Sequence, residues 1–113
     1  MAERKLPDDP LSFVRECIRG GRIFWTYHVN MRLGQRVISR EMIVQAADGY
    51  ELVEEYPEDK YLPSYLLVGQ RGEERFHVLF GADMDGQNVR VVTAYYPSAE
   101  EWEADLKTRR RSL

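Results

Sequence analysis

Cysteine is almost absent: Cys17 stands alone among 113 residues, so no disulfide can close within the chain. There is no CxxC pair, and histidine is limited to His28 and His77, which argues against a structural zinc site. No apolar run approaches the ~20 residues that a membrane-spanning helix needs. The charged start, Met-Ala-Glu-Arg-Lys-Leu-Pro-Asp-Asp-Pro, has no apolar core of the kind that directs secretion, so a cytoplasmic location is expected. Glycine forms no phosphate-cradling loop, because Gly69-Gln70-Arg71-Gly72 sits between two strand-like runs rather than between a strand and a helix. Ser64 lacks flanking glycines, and no paired-carboxylate signature is present, so nucleophilic catalysis and known cofactor chemistry have no motif behind them.

What is there suits one small domain. A chain of this length should bury roughly 65% of its unfolded surface, enough for one core, and residues 1–113 are read as a single domain with a flexible N-terminus over 1–9 and a frayed end over 109–113. Cys17 falls among apolar residues at helical spacing, where a free thiol acts as a small core hydrophobe. The net charge of −3 argues against a general nucleic-acid binder. Its distribution is uneven. Residues 10–40 carry Arg15, Arg19, Arg22, Arg32, Arg36 and Arg40 against Glu16, whereas residues 41–70 carry seven acids against Lys60. Such a two-sided chain can steer an anion to one face, or its charges can simply pair with one another on a solvated surface.

Periodicity divides the chain near Glu51. Before it, Asp9-Pro10 starts a helix bearing Leu11, Val14, Cys17 and Ile18, which Gly20-Gly21 ends. A short β-like run, Ile23-Phe24-Trp25, leads to Thr26, which can cap a second helix with Val29, Leu33 and Val37 on its apolar face. Ser39 can cap a third, with Met42, Ile43, Ala46 and Ala47 inward and Gly49 closing it in a left-handed conformation. After Glu51 four β-type runs follow, Glu51 to Tyr56, Ser64 to Gln70, Arg75 to Gly81 and Asn88 to Tyr96, with short turn-rich connections that require antiparallel neighbours. Ser98 and Glu101 then form a capping box for a C-terminal helix anchored by Trp102 and Leu106. The expected fold is α+β: N-terminal helices packed on a four-stranded antiparallel meander sheet, with a C-terminal helix.

Four residues stand out as candidates for catalysis. His28, Arg32 and Arg36 recur every fourth residue, which on a helix would place them in one stripe where two guanidiniums hold a phosphate and a histidine exchanges a proton. The competing reading is a helix rim whose arginines pair with the acids of residues 51–59. His77 shares a strand face with Arg75 and can meet Tyr95 or Thr93 on the next strand, either as an acid or base or as a half-buried packing residue. Tyr95 can stack on a base or turn a corner of the core, and Arg110, in the terminal run Arg109-Arg110-Arg111, can reach a backbone phosphate or belong to a frayed end.

These residues also carry a resemblance. From about Ile23 to Arg110 the chain resembles a small bacterial family known as domain of unknown function 4258. The segment His28-x-x-x-Arg32-Leu33-x-x-Arg36-Val37-Ile38-Ser39-x-Glu41 is similar to its opening motif. Gly49, Glu54-Glu55-Tyr56-Pro57, Asp59 and Pro63-Ser64-Tyr65-Leu66-Leu67 follow in order, then His77-Val78, Val92-Thr93-x-Tyr95-x-Pro97 and Trp102. Val29, Leu33 and Val37 depart from the alanine, methionine and glycine of the family pattern. The resemblance implies a fold similar to the RelE/ParE-like toxins and, by analogy, a metal-independent endoribonuclease of a toxin–antitoxin pair. On that analogy His28 or His77 would be acid or base, Arg32 and Arg36 would stabilise the phosphate, and Tyr95, Arg75 and Arg110 would contact RNA. No cofactor or metal is implied; the implied partners are a small antitoxin protein and RNA or the ribosome, with no membrane. The alternative is a non-catalytic interaction module or partner subunit, which could be a homodimer.

Overall fold

Local chemistry sets the ends of the first helix, α1 (Pro10–Arg19), in the computed structural model, which describes residues 4–26, 32–33 and 36–110. The Asp9 side chain accepts from the Ser12 amide at 3.1 Å and from the Ser12 hydroxyl at 2.9 Å, while Pro10 supplies a φ already suited to a first turn. Gly21, at φ +73°, turns the chain in a conformation that a side chain would oppose. Val14, Cys17 and Ile18 are buried as their spacing predicts. The second helix, α2 (Arg40–Gln45), begins at Ser39, whose hydroxyl accepts from the Met42 amide, and runs into a 3-10 turn, Ala47–Gly49. Gly49 belongs to that turn and does not take the left-handed closing conformation expected of it.

The sheet has five strands rather than four. Strands β4 (Glu51–Tyr56), β5 (Ser64–Arg71), β6 (Glu74–Asp83) and β7 (Asn88–Tyr95) form the expected antiparallel meander, but β1 (Ile23–Trp25) adds to its edge, parallel to β7, in the order β1-β7-β6-β5-β4. The sheet is therefore mixed. Three residues are too few for periodicity to separate a strand from a connection; the pairing is carried by Val89 N–H donating to the Arg22 carbonyl at 3.0 Å and Thr26 N–H to the Val91 carbonyl at 3.3 Å.

Alternation gives the sheet two different faces. Tyr65, Leu67, Phe76, Val78, Phe80, Val89, Val91 and Ala94 join Val14, Ile18, Ile43 and Tyr50 in one core beneath the helices. Tyr50 sits at its centre, edge-on to Phe76 and Phe80, with its hydroxyl donating to the Ile43 carbonyl at 2.8 Å. It rests on Gly69, where a Cβ would come within 2.6 Å of its ring. The outer face carries Leu66, Val68 and His77, also buried, although no helix among the described residues covers them.

Two predicted helices are absent among the described residues. Where the second was expected, β2 (Arg32–Leu33) and β3 (Arg36–Val37) pair antiparallel, with Arg32 opposite Val37 and Leu33 opposite Arg36. Antiparallel pairing of 32–33 with 36–37 breaks the four-residue repeat that one continuous helix would keep, and Gly34 lowers helix propensity. The C-terminal helix is replaced by a strap over 98–110. Ser98 supports only one turn, in which its carbonyl accepts from the Glu101 and Trp102 amides. Asp105 then accepts from the amides of Lys107 and Thr108 and from the Thr108 hydroxyl, a local competitor of helical bonding, and Leu106 takes φ +58°. The strap closes on itself through an isolated bridge between Trp102 and Arg109. Lys107 and Arg109 pair instead with the sheet, at Glu51 and Glu54.

Trp102 is only 1% exposed and is the strap's anchor on the outer face. Trp102→Ala is expected to cost about 3–5 kcal/mol in urea denaturation, as for a large side chain removed from a packed core. A loss below about 1 kcal/mol would mean that the strap does not help hold the fold.

Candidate functional site

The outer face has a closed end and an open end. At the closed end, His77 on β6 lies opposite Tyr95 on β7, with no exposed surface. Its Nε2 is 2.7 Å from the Leu106 carbonyl and its Nδ1 is 3.1 Å from the Tyr95 hydroxyl. A carbonyl can only accept, so Nε2 carries the proton; in the neutral ring Nδ1 then accepts from Tyr95. The ring meets Trp102 edge-on at 4.5 Å between centroids and Tyr95 at 5.3 Å. Burial holds His77 below the usual histidine range, although the Leu106 carbonyl and the Glu54 charge oppose that shift.

Around this pair the strap is tied down by charge. Arg109 donates to Glu54 from Nε at 2.7 Å and from Nη2 at 3.0 Å, a two-pronged contact, and lies 4.5 Å above the Trp102 ring. The Tyr56 hydroxyl donates to the same carboxylate. Arg109 and this hydroxyl hold Glu54 below the usual carboxylate range against the opposing effect of burial. Because the Arg109 side chain is 53% exposed, the ion pair contributes no more than about 1 kcal/mol. Arg75 donates to the Asp105 carbonyl at 3.1 Å, and Arg110 donates to the carbonyls of Ala99 and Trp102 at 2.6 and 3.0 Å.

The structure thus brings His77, Tyr95, Arg75 and Arg110 to one end of the sheet, where each bonds to another part of the chain. Arg32 and Arg36 belong instead to the separate β2–β3 pair, opposite Val37 and Leu33, and not to a helical stripe. His28 lies outside the described residues. The sequence reading did not assign Glu54, Tyr56 and Arg109 to this group, nor Trp102 beyond its role as an anchor. Glu54 and Tyr56 are two residues apart on β4 and so share a face, a signal that was legible once that face was known to be the outer one.

The open end is a cavity of about 520 Å³ lined by Asp59, Lys60, Tyr61 and Leu62 from the β4–β5 loop and by Ser64, Gly81, Arg90 and Val92 from the sheet. Thr26, where the chain leaves β1, completes its rim. Among the described residues no three of His, Cys, Asp and Glu come together to hold a metal ion, and no helix is long and apolar enough to cross a membrane.

A family model described as domain of unknown function (DUF4258) matches residues 25–96. The chain belongs to that family. The family's segment includes both ends of the outer face, from Thr26 and Glu54 to Tyr95, but stops short of the strap residues Trp102 and Arg109. No curated protein and no solved structure matches the chain.

A histidine whose folded pKa is depressed stabilises the fold above its unfolded pKa, near 6.5, and that contribution is lost as pH falls through the folded value. Glu54, also depressed, adds to the loss only at lower pH, below about 4.5. Stability by urea denaturation is therefore expected to fall between pH 7.5 and about pH 5, with His77→Gln less stable at neutral pH and flatter across this range. An equal slope in both proteins would show that His77 does not titrate as a buried neutral ring.

Proposed function

We propose that the chain is an RNA-cleaving, toxin-like domain of a toxin–antitoxin pair, acting without metal and similar in architecture to the RelE/ParE-like toxins. The observation that carries this reading is the open end of the sheet's outer face. Arg90 and Lys60 stand there beside the exposed ring of Tyr61, and Thr26 at the rim precedes His28 by two residues. Cations beside an exposed aromatic ring suit a single strand, whose phosphates and bases each find a partner.

In this reading the ribose 2′-oxygen attacks the adjacent phosphorus. The new O2′–P bond forms as the P–O5′ bond breaks, leaving a 2′,3′-cyclic phosphate and a 5′-hydroxyl. One proton leaves the 2′-hydroxyl and one is delivered to the departing 5′-oxygen. His28 is the histidine assigned to this exchange, because His77 has both ring nitrogens committed to Leu106 and Tyr95. Arg32 and Arg36 are assigned to the negative charge growing on the phosphoryl oxygens. His77, Tyr95 and Arg75 act as positioning residues that fix the strap, and Arg110 braces its stem.

A second reading, a non-catalytic partner subunit, is favoured by Phe24, which is 54% exposed on β1 and is the register partner of the cavity residue Arg90 on β7. An antitoxin protein covering the same face would use that ring in either case.

Induced expression in a bacterium is expected to arrest growth, and the purified chain with ribosomes and messenger RNA to generate 2′,3′-cyclic phosphate ends in the presence of EDTA. His28→Ala should slow cleavage by about 100-fold or more, the usual scale of a lost general acid or base. No arrest and no cleavage would remove the ribonuclease reading and leave the partner-subunit one.

A further inference from the structure

The geometry points to the open cavity as a subsite for a nucleobase that bears an exocyclic amino group, within a single-stranded RNA; this rests on the RNA-cleaving reading and adds a base preference to it. Two hydroxyl hydrogens of the lining are already in use. Thr26 Oγ1 donates to the Val92 carbonyl at 3.4 Å, and Ser64 Oγ donates to the Leu62 carbonyl at 3.1 Å. Each hydroxyl has one hydrogen, so what both have left to offer a ligand is lone pairs. Asp59 in the lining is a carboxylate and accepts as well, while the Tyr61 phenol can donate or accept. A base edge turned toward Thr26, Ser64 and Asp59 is therefore favoured when it brings more than one N–H hydrogen. Adenine, cytosine and guanine each carry an amino group with two such hydrogens; uracil has only its N3–H, flanked by two carbonyls that acceptors repel.

The shape and charge of the cavity suit the rest of a nucleotide. Gly81 lines the cavity: a Cβ there would come 3.3 Å from Leu62 Cδ1 and 3.7 Å from Val92 Cγ2, so a side chain at this position would crowd both. The Tyr61 ring is 82% exposed, and Lys60 Nζ lies 5.3 Å from its centre, an arrangement that leaves the phenol free to stack on a base with a cation beside it for the phosphate. Arg90 is half-exposed and only loosely paired, 3.7 Å from Asp83, so its guanidinium can turn to a second phosphate. The volume, about 520 Å³, lies within the range of small-ligand sites.

The test is fluorescence anisotropy with 5′-labelled pentamers of A, C and U and the full chain, in the wild type, Tyr61→Ala and Arg90→Ala, with thermal melting to confirm that each variant is folded. The A and C pentamers are expected to bind about ten-fold more tightly than U, and Tyr61→Ala to weaken them about ten-fold, the scale of one lost stacking contact. Arg90→Ala should weaken all three and reduce the dependence on salt. Equal binding of A, C and U, or indifference to Tyr61→Ala, would overturn the subsite, including the outcome in which the face binds only protein. Cleavage of messenger RNA that is insensitive to Tyr61→Ala would overturn the subsite and leave the ribonuclease reading. Tyr61-dependent, amino-selective binding by a chain that cannot cleave would do the reverse.

Discussion

The hydrogen bond from His77 Nε2 to the Leu106 carbonyl joins the middle of the sheet to a segment that has almost no regular structure of its own. One face of the sheet is covered by α1 and α2 in the ordinary way. The other is closed at one end only because the strap lies across it, and the strap lies there because Trp102 and His77 are buried against each other with every polar atom of the imidazole satisfied. Leaving such a ring without partners would cost about 1–3 kcal/mol per lost bond. The brace therefore demands that the strap be in place, and Leu106 accepts a left-handed backbone to present its carbonyl.

That closure divides the outer face by chemistry. At the closed end the side chains answer one another: Tyr95 to His77, Arg109 to Glu54, Arg75 to the strap backbone. At the open end the Arg90 guanidinium lies 3.7 Å from Asp83 and the Lys60 ammonium 5.3 Å from the centre of the Tyr61 ring, and the Thr26 and Ser64 hydroxyls donate to the Val92 and Leu62 carbonyls. A site that works on a ligand needs groups still free to respond to it. The functional proposal accordingly centres on the open end, and the residues first noticed for their chemistry at the closed end become its support.

Much of this was legible in the sequence, for identifiable reasons. Asp9-Pro10 and Ser39 mark helix starts through local bonds, and strands β4 to β7 follow from alternation and turn residues, so both signals lie within a few neighbouring positions. The approach of His77 to Tyr95 also followed from strand pairing. The helical placement of Arg32 and Arg36 did not, because the two residues stand on separate antiparallel strands, a pairing that a four-residue repeat does not reveal. The C-terminal helix failed because Asp105 bonds to its own neighbours and Trp102 finds its partner on a strand more than twenty residues earlier, a contact that no local pattern encodes. β1 was recognised as β-like, but its parallel partnership with β7 depends on a residue separation of about sixty-six, beyond the reach of spacing arguments.

The central claim is that His77 is a neutral brace and not a working acid or base. Long-range ¹H–¹⁵N correlation NMR of the imidazole nitrogens tests it most directly. The account requires the tautomer with its proton on Nε2 at pH 7, and a titration midpoint below the ordinary histidine value of about 6.5. A proton on Nδ1, or a ring already charged at pH 7, would contradict it.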